Sequence, residues 1–497
     1  MKHYLLSGIR IGGNLLKVWL TIAKWFGWLP IGAGALAGFA LPPLGWPWLL
    51  WLALLPLWRF GPGGGALWAG AAMLVSHRWL LALHPLTWLG VPELFSLPLV
   101  MLLLGICAAA AALLVALWCY SVQWLGPKRF STACFAVLLW GVMEVLLAKG
   151  PLFWIGLGSA ALPGDRTLAG LAALGGAGLV AAVQLLISWL LWRRAWPLFI
   201  CVVLAGHGLG AAALVWNPIE QVGSKSLQLE LVQPALPTRE KFNWEMQQRQ
   251  RDLIINGLRH AKANGSVALI LPEGALVEGD NPNAADVAVI SGGFRREGRE
   301  DRSSLLWFPA GAAKPHQWLD KNRLVPLGEW IPGGEWFQWS GLSAVGGLQP
   351  GNRSRLLDLP YPIGPIAGAI CYELADGSSI AAAIRGGAEW ILTVANLDPY
   401  PLQLQNQFLA LAQLRAIETG RWLLSVANTG PSFVLNPRGV MIDKLEPNLA
   451  AIADMKLQLE KSKTLYDKTG NNPLLFLFVI SAGVCFWLNK SLPRELL

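Results

Sequence analysis

One cysteine in the polar part of this sequence stands where a nucleophile could work. Cys371 follows the apolar run Pro365–Ile370, which is typical of a buried strand, and a predicted helix begins soon after it. A strand-to-helix turn of this kind can expose a side chain beside backbone N–H groups that bind an oxyanion. The other cysteines all lie in long apolar stretches, where cysteine acts as a small hydrophobic side chain: Cys107, Cys119, Cys134, Cys201 and Cys485. Cys371 is therefore either a nucleophile or a small buried side chain of the hydrophobic core.

A cysteine nucleophile needs a general base and a nearby positive charge. His260 and His316 are the only histidines in this part of the chain, and neither has a suggestive context. Carboxylates offer the alternative. Glu273 follows a second apolar run, and Lys321 and Glu329 stand close together further along. A buried glutamate can accept the thiol proton while a lysine stabilises the thiolate and the oxyanion, so the combination favours acyl-transfer chemistry.

The elements that would position these groups alternate between strands and helices from Leu227 onward. The predicted strands are Leu227–Leu231, Val267–Leu271, Val287–Ser291, Leu305–Phe308, Pro365–Ile370, Ile391–Ala395, Leu423–Ala427 and Phe433–Asn436. The predicted helices are Lys241–Lys262, Ser379–Arg385 and Gln403–Thr419, and residues 292–302 are predicted to form a polar loop. This alternation predicts an α/β sandwich or barrel.

The first 216 residues have a different character, which indicates a membrane region. The whole chain of 497 residues is 54% hydrophobic and only 14% charged, against about 25% charged in an average soluble domain. Long apolar stretches predict seven spans at 25–40, 46–58, 64–85, 94–118, 132–148, 168–192 and 196–216, and an eighth at 474–488. We therefore expect a transmembrane region at 1–216, a catalytic domain at 217–472, and a C-terminal helix with a cytoplasmic tail at 473–497.

The distribution of charge argues against a nucleic-acid partner and predicts the orientation. The net charge is +9, and residues 1–216 carry all of it, with 12 Lys and Arg against three acidic residues. The predicted loops that share a side with the N-terminus hold the basic residues Arg59, Lys128, Arg129, Arg193, Arg194, Lys490 and Arg494. Since cytoplasmic loops are enriched in Lys and Arg, we expect both termini in the cytoplasm and residues 217–472 outside it. A cleaved signal peptide is the weaker alternative for the N-terminus.

Motifs in both parts of the chain, in order, resemble those of the apolipoprotein N-acyltransferase family of the nitrilase (carbon-nitrogen hydrolase) superfamily. In the membrane region the matching segments are Phe39–Pro47, Trp140–Glu144 and Gly150–Gly158. In the catalytic domain they are Val232–Gln233, Leu271–Glu273, Lys321–Glu329, Ile370–Glu373, Arg415–Arg421 and Ala427–Gly430. The resemblance implies eight spans and a nitrilase-like αββα domain on the outer face of a bacterial plasma membrane.

The resemblance also implies roles for individual residues. Cys371 would be the nucleophile, Glu273 the general base and Lys321 the oxyanion stabiliser. Three further residues would support or shape the site: Glu329, Tyr372 and Glu373. The implied reaction carries an acyl chain from a phospholipid, through a thioester, to the α-amino group of a lipoprotein's diacylglyceryl-cysteine, in a ping-pong sequence. No metal or cofactor is implied.

The chain departs from the family pattern in segments that we expect to form a lid over the substrate. These departures are Arg323, Leu327, Leu374–Asp376 and Asn396–Tyr400. Two other interpretations stay open at this point. One is a membrane-tethered nitrilase-like amidase or an acyltransferase with a different acceptor. The other is a membrane scaffold with an inactive domain, against which the intact set of Glu273, Lys321 and Cys371 argues.

Overall fold

The computed structural model describes residues 27–150, 155–216, 225–240, 243–277, 279–282, 286–326, 328–330 and 347–491. The basic residues of the predicted N-terminal segment, together with Leu327 and Arg494, lie outside these ranges.

Helices make up the first part of the chain. They are α1 (Gly27–Ala40), α2 (Pro47–Ala53), α3 (Gly61–Ser76), α4 (Glu93–Leu125), α5 (Phe130–Ala148), α6 (Arg166–Ala169), α7 (Ala172–Trp192) and α8 (Trp196–Trp216). Tryptophan rings join several of them: Trp118 of α4 packs edge-to-face on Trp140 of α5, with ring centroids 5.3 Å apart. Leu102 and Leu113 of α4 and Leu204 of α8 are more than half exposed. Such exposed apolar faces are expected where a helix meets lipid.

The described residues of the second part form twelve strands. They are β1 (Ser226–Gln233), β2 (Ala268–Leu276), β3 (Ala288–Glu297), β4 (Glu300–Phe308), β5 (Gln317–Asp320), β6 (Leu356–Leu357), β7 (Ile366–Ile370), β8 (Trp390–Ala395), β9 (Leu423–Ala427), β10 (Phe433–Leu435), β11 (Met441–Lys444) and β12 (Ala451–Gln458). They make two six-stranded sheets, ordered β12-β1-β2-β3-β4-β5 and β11-β10-β9-β8-β7-β6. β1, β2 and β3 are parallel neighbours in the first sheet, and β7, β8 and β9 in the second.

The two sheets pack face to face and helices cover their outer faces. The remaining helices are α9 (Trp244–Asn264), α10 (Gly377–Arg385), α11 (Leu402–Thr419), α12 (Leu465–Thr469) and α13 (Asn472–Ser491). Leu229 and Ile270 of one sheet share a buried core with Leu392 and Val426 of the other. Helix α9 packs on the first sheet, and α10 and α11 pack on the second. The fold class is thus confirmed as a helical membrane region with an αββα sandwich, and the barrel alternative is excluded.

Among the described helices, five are long and apolar enough to cross a membrane: α4, α5, α7, α8 and α13. The count of eight spans stays a prediction. The predicted span at 64–85 is wrong in its second half, because α3 ends at Ser76 and a 3-10 segment, Arg78–Leu83, follows. This segment departs from the helix because it buries Trp79 against Tyr400 of the catalytic domain, with ring centroids 5.4 Å apart.

The predicted polar loop at 292–302 is also wrong, since β3 and β4 continue as a hairpin through these residues. Arg295 donates two hydrogen bonds to Asp320, of 2.7 and 2.6 Å, and Arg296 pairs with Asp301 at 2.7 Å. An antiparallel ribbon can be polar wherever it reaches solvent, which is why its composition resembled that of a loop. Strands β5, β6, β11 and β12 were not predicted from the sequence.

Hydrogen bonds connect the α/β domain to the membrane region. Gln403 and Gln407 of α11 each donate a hydrogen bond of 3.0 Å to the carbonyl of Ser76 at the end of α3. Glu418 accepts a bond of 2.9 Å from the N–H of Ala177, at a kink in α7. These contacts satisfy backbone groups that helix ends and kinks leave without partners.

Candidate active site

The backbone at Cys371 lifts its side chain out of the second sheet. β7 ends at Ile370, and Cys371 adopts φ +55° before a 3-10 turn that runs to Ala375. A left-handed conformation is costly for a residue with a Cβ and is often found at working sites. The thiol is half-buried, and the backbone N–H of Tyr372 hydrogen-bonds to it. The structure therefore has the strand-to-helix turn that the sequence predicted.

Lys321 lies directly after β5 and is almost completely buried, with 1% of its side chain exposed. Its Nζ donates hydrogen bonds of 2.8 Å to Glu273 Oε1 and of 2.8 Å to Glu329 Oε1. Both carboxylates interact electrostatically with the thiol of Cys371, as does the ammonium group. Glu273, Lys321, Glu329 and Cys371 thus meet in one cluster, although they are spread over about a hundred residues of sequence.

Glu273 lies within β2, at a local irregularity of the strand. The pairing of β2 with β3 shifts between Leu271 and Leu276, and Gly274 has φ +63°. Gly292 of β3 faces this irregularity so closely that a Cβ there would stand 2.5 Å from the Cα of Glu273. Only glycine leaves room for the two backbones to approach this far. The position of the Glu273 carboxylate therefore depends on the irregularity in β2 and on the glycine at position 292.

The charges in the cluster determine one another. Burial opposes the charge on Lys321, but the carboxylates of Glu273 and Glu329 outweigh it and hold the lysine pKa well above its usual range. Burial raises the pKa of Glu329, against the effect of Lys321. Burial and the negative charge of Glu273 raise the pKa of Cys371 well above its usual value, and Lys321 only partly offsets them. The resting site therefore combines a neutral thiol with a charged lysine.

Tyr372 and Glu373 support the turn beside the thiol. The Tyr372 ring lies 4.6 Å from the guanidinium of Arg323, and its hydroxyl donates to the Leu324 carbonyl at 2.5 Å. Glu373 is buried, and its carboxylate accepts bonds from the N–H groups of Ile370 at 3.0 Å and Asn322 at 2.8 Å. The Tyr372 ring also lies 5.9 Å from the ammonium of Lys321, so these two residues shape the site around the lysine and the thiol.

The structure adds residues that the sequence analysis did not assign to the site. The N–H of Asn396 donates to Glu273 Oε2 at 2.9 Å, and the Asn396 side chain accepts from Asn428 at 3.0 Å. Tyr400, at the end of the same segment, packs edge-to-face on Trp79, and burial raises the pKa of its hydroxyl. The segment Asn396–Tyr400 was expected from the sequence to belong to a substrate lid, and no contact with the general base was predicted for it. The segment follows β8, which is the parallel neighbour of the strand that precedes Cys371, and this position in the sequence could have indicated that it lies at the site.

A narrow cleft, with a cavity volume of only about 10 Å³, reaches the site beside Glu273, and Asn396, Asn428 and Gln250 contribute to its walls. Among the residues that the structure describes, no three His, Cys, Asp or Glu side chains are grouped so that they could hold a metal ion. The chemistry that this arrangement offers is a thiol that attacks, a carboxylate that takes a proton, and an ammonium that meets a developing negative charge.

Comparisons with known proteins indicate the family of this chain. The carbon-nitrogen hydrolase family model matches residues 280–465, a range that contains Lys321 and Cys371 and begins after Glu273. The apolipoprotein N-acyltransferase of Prochlorococcus marinus (strain MIT 9313) is 43% identical in an alignment 485 positions long, which covers 90% of this chain and 93% of that protein. The apolipoprotein N-acyltransferase of Parasynechococcus marenigrum (strain WH8102) is 45% identical over 452 residues, 88% of this chain and 95% of that one.

Among solved structures, this chain is similar to Saccharomyces cerevisiae Nit3, a member of branch 10 of the nitrilase superfamily. The match has 17% sequence identity and a TM-score of 0.36, and it covers 47% of this chain and 90% of that one.

Proposed function

The chain belongs to the apolipoprotein N-acyltransferase family, and we propose that it moves an acyl chain from a phospholipid to a lipoprotein through a thioester on Cys371. The observation that carries this proposal is the ammonium of Lys321, held at 2.8 Å from Glu273 in the electrostatic reach of the thiol. That arrangement supports Glu273 as the general base and Lys321 as the oxyanion stabiliser. Glu329 holds the other side of the lysine.

In the first half-reaction Cys371 Sγ attacks the ester carbonyl of the phospholipid. Because the resting thiol is neutral, its proton must leave as the S–C bond forms, and Glu273 accepts it. The carbonyl oxygen becomes an oxyanion that Lys321 stabilises. When the tetrahedral intermediate collapses, the C–O ester bond breaks and the lysophospholipid alkoxide takes the proton back from Glu273. The products are an acyl thioester and a lysophospholipid.

In the second half-reaction the α-amino group of a diacylglyceryl-cysteine attacks the thioester carbonyl. Glu273 accepts a proton from the amine, and Lys321 again stabilises the oxyanion. The C–S bond then breaks, an amide remains on the lipoprotein, and the Cys371 thiolate recovers the proton. The acyl group is thus transferred with no net change in the enzyme, in a ping-pong sequence.

The membrane region explains why both lipid substrates can meet this site. On this proposal residues 1–216 and 473–497 hold the protein in a bacterial plasma membrane, and residues 217–472 catalyse on its outer face. The contact between Trp79 and Tyr400 supports a site that opens near the membrane region. Donor and acceptor then diffuse within the bilayer and need not leave it.

The thioester is testable with the full chain in detergent micelles. Radiolabelled phospholipid should produce a protein-bound label that neutral hydroxylamine releases. Cys371→Ala should abolish the label, whereas Cys201→Ala, which removes an exposed cysteine of α8, should retain it. Equal labelling of Cys371→Ala would refute the proposed nucleophile.

The acceptor needs a separate experiment, because a thioester also fits an amidase or an acyltransferase with another acceptor. Mass spectrometry of lipoprotein N-termini, from cells with and without this protein, should show loss of the N-linked acyl chain when it is absent. Thioester formation with lipoproteins that remain diacylated in both strains would favour the alternative. Absence of any Cys371-dependent turnover would favour an inactive scaffold.

The orientation can be tested with a membrane-impermeant maleimide on intact spheroplasts. Lys262→Cys, on the exposed end of α9, should react without permeabilisation. Lys128→Cys, exposed between α4 and α5, should react only after permeabilisation. The reverse pattern would place the catalytic domain in the cytoplasm.

A further inference from the structure

Arg355 is a buried arginine, and each of its three nitrogens donates at least one hydrogen bond. Only 2% of the residue is exposed, and it lies just before β6. Its Nη1 donates to both carboxylate oxygens of Glu373 at 2.9 Å. Its Nη2 donates to the carbonyl of Asp320 at 2.8 Å and to that of Asn352, and its Nε donates to that of Ser354 at 2.9 Å. A guanidinium is the one side chain that can offer five donors in a fixed plane.

These bonds reach the chain immediately before Lys321, because Asp320 is its neighbour. The partner carboxylate reaches the chain immediately after it, since Glu373 Oε1 accepts from the N–H groups of Asn322 at 2.8 Å and Arg323 at 3.1 Å. The Arg355–Glu373 pair therefore holds the backbone on both sides of the lysine.

The same pair reaches the nucleophile. Glu373 Oε2 accepts from the N–H of Ile370 at 3.0 Å, directly before Cys371. Glu373 itself belongs to the 3-10 turn that Cys371 begins. One ion pair thus joins the loop that carries Lys321 to the turn that carries Cys371, although these elements come from different sheets.

We propose that Arg355 is a positioning residue for the acyl transfer: through Glu373 it fixes the ammonium of Lys321 relative to the thiol of Cys371. This inference rests on the proposed function, which makes those two groups the reacting pair. Arg355 touches neither group and acts only through Glu373 and the backbone.

The energetics of burial favour a role in geometry over a role in stability. Two charges removed from water pay a desolvation cost that their attraction often only balances, and apolar pairs of similar volume are commonly as stable. What a buried ion pair supplies, when each partner is also hydrogen-bonded to the surrounding backbone, is a fixed distance and orientation. Acyl transfer needs such precision, since a displacement of about 1 Å at a reacting group can cost about 100-fold in rate.

The test uses the full chain in micelles, with Arg355→Met and Arg355→Lys as variants. Arg421→Lys is the matched control, because Arg421 is equally buried but bonds carbonyls such as that of Ala388, which precedes β8 at the strand ends opposite the site. One readout is the single-turnover rate of Cys371 acylation, with the KM for phospholipid. The other is the pH profile of Cys371 alkylation by iodoacetamide, which needs no phospholipid.

Arg355→Met should slow acylation about 100-fold and leave the KM for phospholipid within about twofold. It should also move the alkylation profile to higher pH, because the thiolate loses part of its stabilisation by Lys321. Arg355→Lys keeps a positive charge but not the planar fork, so its acylation should slow about tenfold. Arg421→Lys should change neither readout.

An acylation rate and alkylation profile like those of the wild type, in either Arg355 variant, would overturn the inference. So would equal effects of Arg421→Lys, since these would show a general loss of folding. If Arg355→Met fails to fold, the acylation rate and the alkylation profile of Arg355→Lys are compared with those of the wild type instead. If the wild type forms no acyl adduct, the proposed function fails, and the alkylation profiles still decide whether Arg355 controls the thiol.

Discussion

Lys321 Nζ lies 2.8 Å from Glu273 Oε1, and only 1% of the Lys321 side chain is exposed to water. Glu329 Oε1 stands at the same distance from that ammonium. The two carboxylates differ in their second oxygens: Glu273 Oε2 accepts from Asn396, and Glu329 Oε2 accepts from Val325 in its own loop. Glu273 is thus tied to the second sheet, which carries the thiol, whereas Glu329 is tied to the loop that follows the lysine.

This difference predicts unequal effects of neutralising the two carboxylates. Glu273→Gln should lower the single-turnover rate of Cys371 acylation about 1,000-fold, because the thiol loses its proton acceptor. Glu329→Gln should lower it about tenfold, since the glutamine oxygen can still accept a hydrogen bond from Lys321 while the base remains, and only the bond from the Val325 N–H is lost. Rapid-quench measurements with labelled phospholipid compare the two, and similar losses for both would contradict the assigned roles.

The close approach of Gly292 to Glu273 predicts that a single methyl group disturbs the base. Gly292→Ala should push the β2 backbone away and reduce kcat about tenfold or more, with a smaller change in the KM for phospholipid. Gly105→Ala is the control, because Gly105 lies on the exposed face of α4 with nothing near its added Cβ. Unchanged kcat in a folded Gly292→Ala protein would show that the bulge does not set the position of Glu273.

The contact between Trp79 and Tyr400 predicts that the membrane region influences catalysis. Trp79→Ala should remove the edge-to-face support of Tyr400, loosen the Asn396–Tyr400 segment beside Glu273, and lower the acylation rate about tenfold. Trp79→Phe should retain most of the rate, since a second aromatic ring can fill the position. Trp124→Ala, at an exposed position of α4, is the control. A rate for Trp79→Ala equal to that of the control would mean that the contact only joins the two regions.

The hydrogen bond that joins Glu418 of α11 to Ala177 of α7 predicts a loss of stability as pH rises. Burial, opposed by Arg415, raises the pKa of Glu418 to about 7. The folded state therefore holds a proton that the unfolded chain releases at the usual pKa of a glutamate, about 4.5. The stabilisation is complete below that pH and is lost as pH rises through about 7, by an amount on the order of 1–3 kcal/mol.

Thermal unfolding in micelles at pH 5 and pH 8 measures this effect. The wild-type protein should melt at a lower temperature at pH 8. Glu418→Gln should reduce the difference, although Asp467, whose pKa burial also raises to about 7, retains part of it. Glu245→Gln, on the exposed start of α9, should leave the difference unchanged. If the melting temperature of Glu418→Gln falls between pH 5 and pH 8 by as much as that of the wild type, the Glu418 carboxyl does not titrate in this range.

Local patterns were enough to predict much of the site. Apolar runs before Glu273 and Cys371 indicated buried strands, and the scarcity of histidine directed attention to carboxylates. Gly292, Arg355 and Trp79 could not be found in this way, because their effect depends on what faces them across a sheet, a loop or a domain boundary. The hairpin through 292–302 was mistaken for a loop because its polar residues pair with one another and with Asp320.

The sequence by itself determined the division into an apolar helical region and an α/β region, since hydrophobicity and its periodicity are properties of short segments of chain. The αββα arrangement was implied only by the family resemblance. It also determined the types of group available for chemistry. Only the tertiary structure decided which of these groups meet. Lys321 gains two buried carboxylate partners, and Cys371 gains its neighbours, when two sheets pack face to face and bring distant segments into one low-dielectric space.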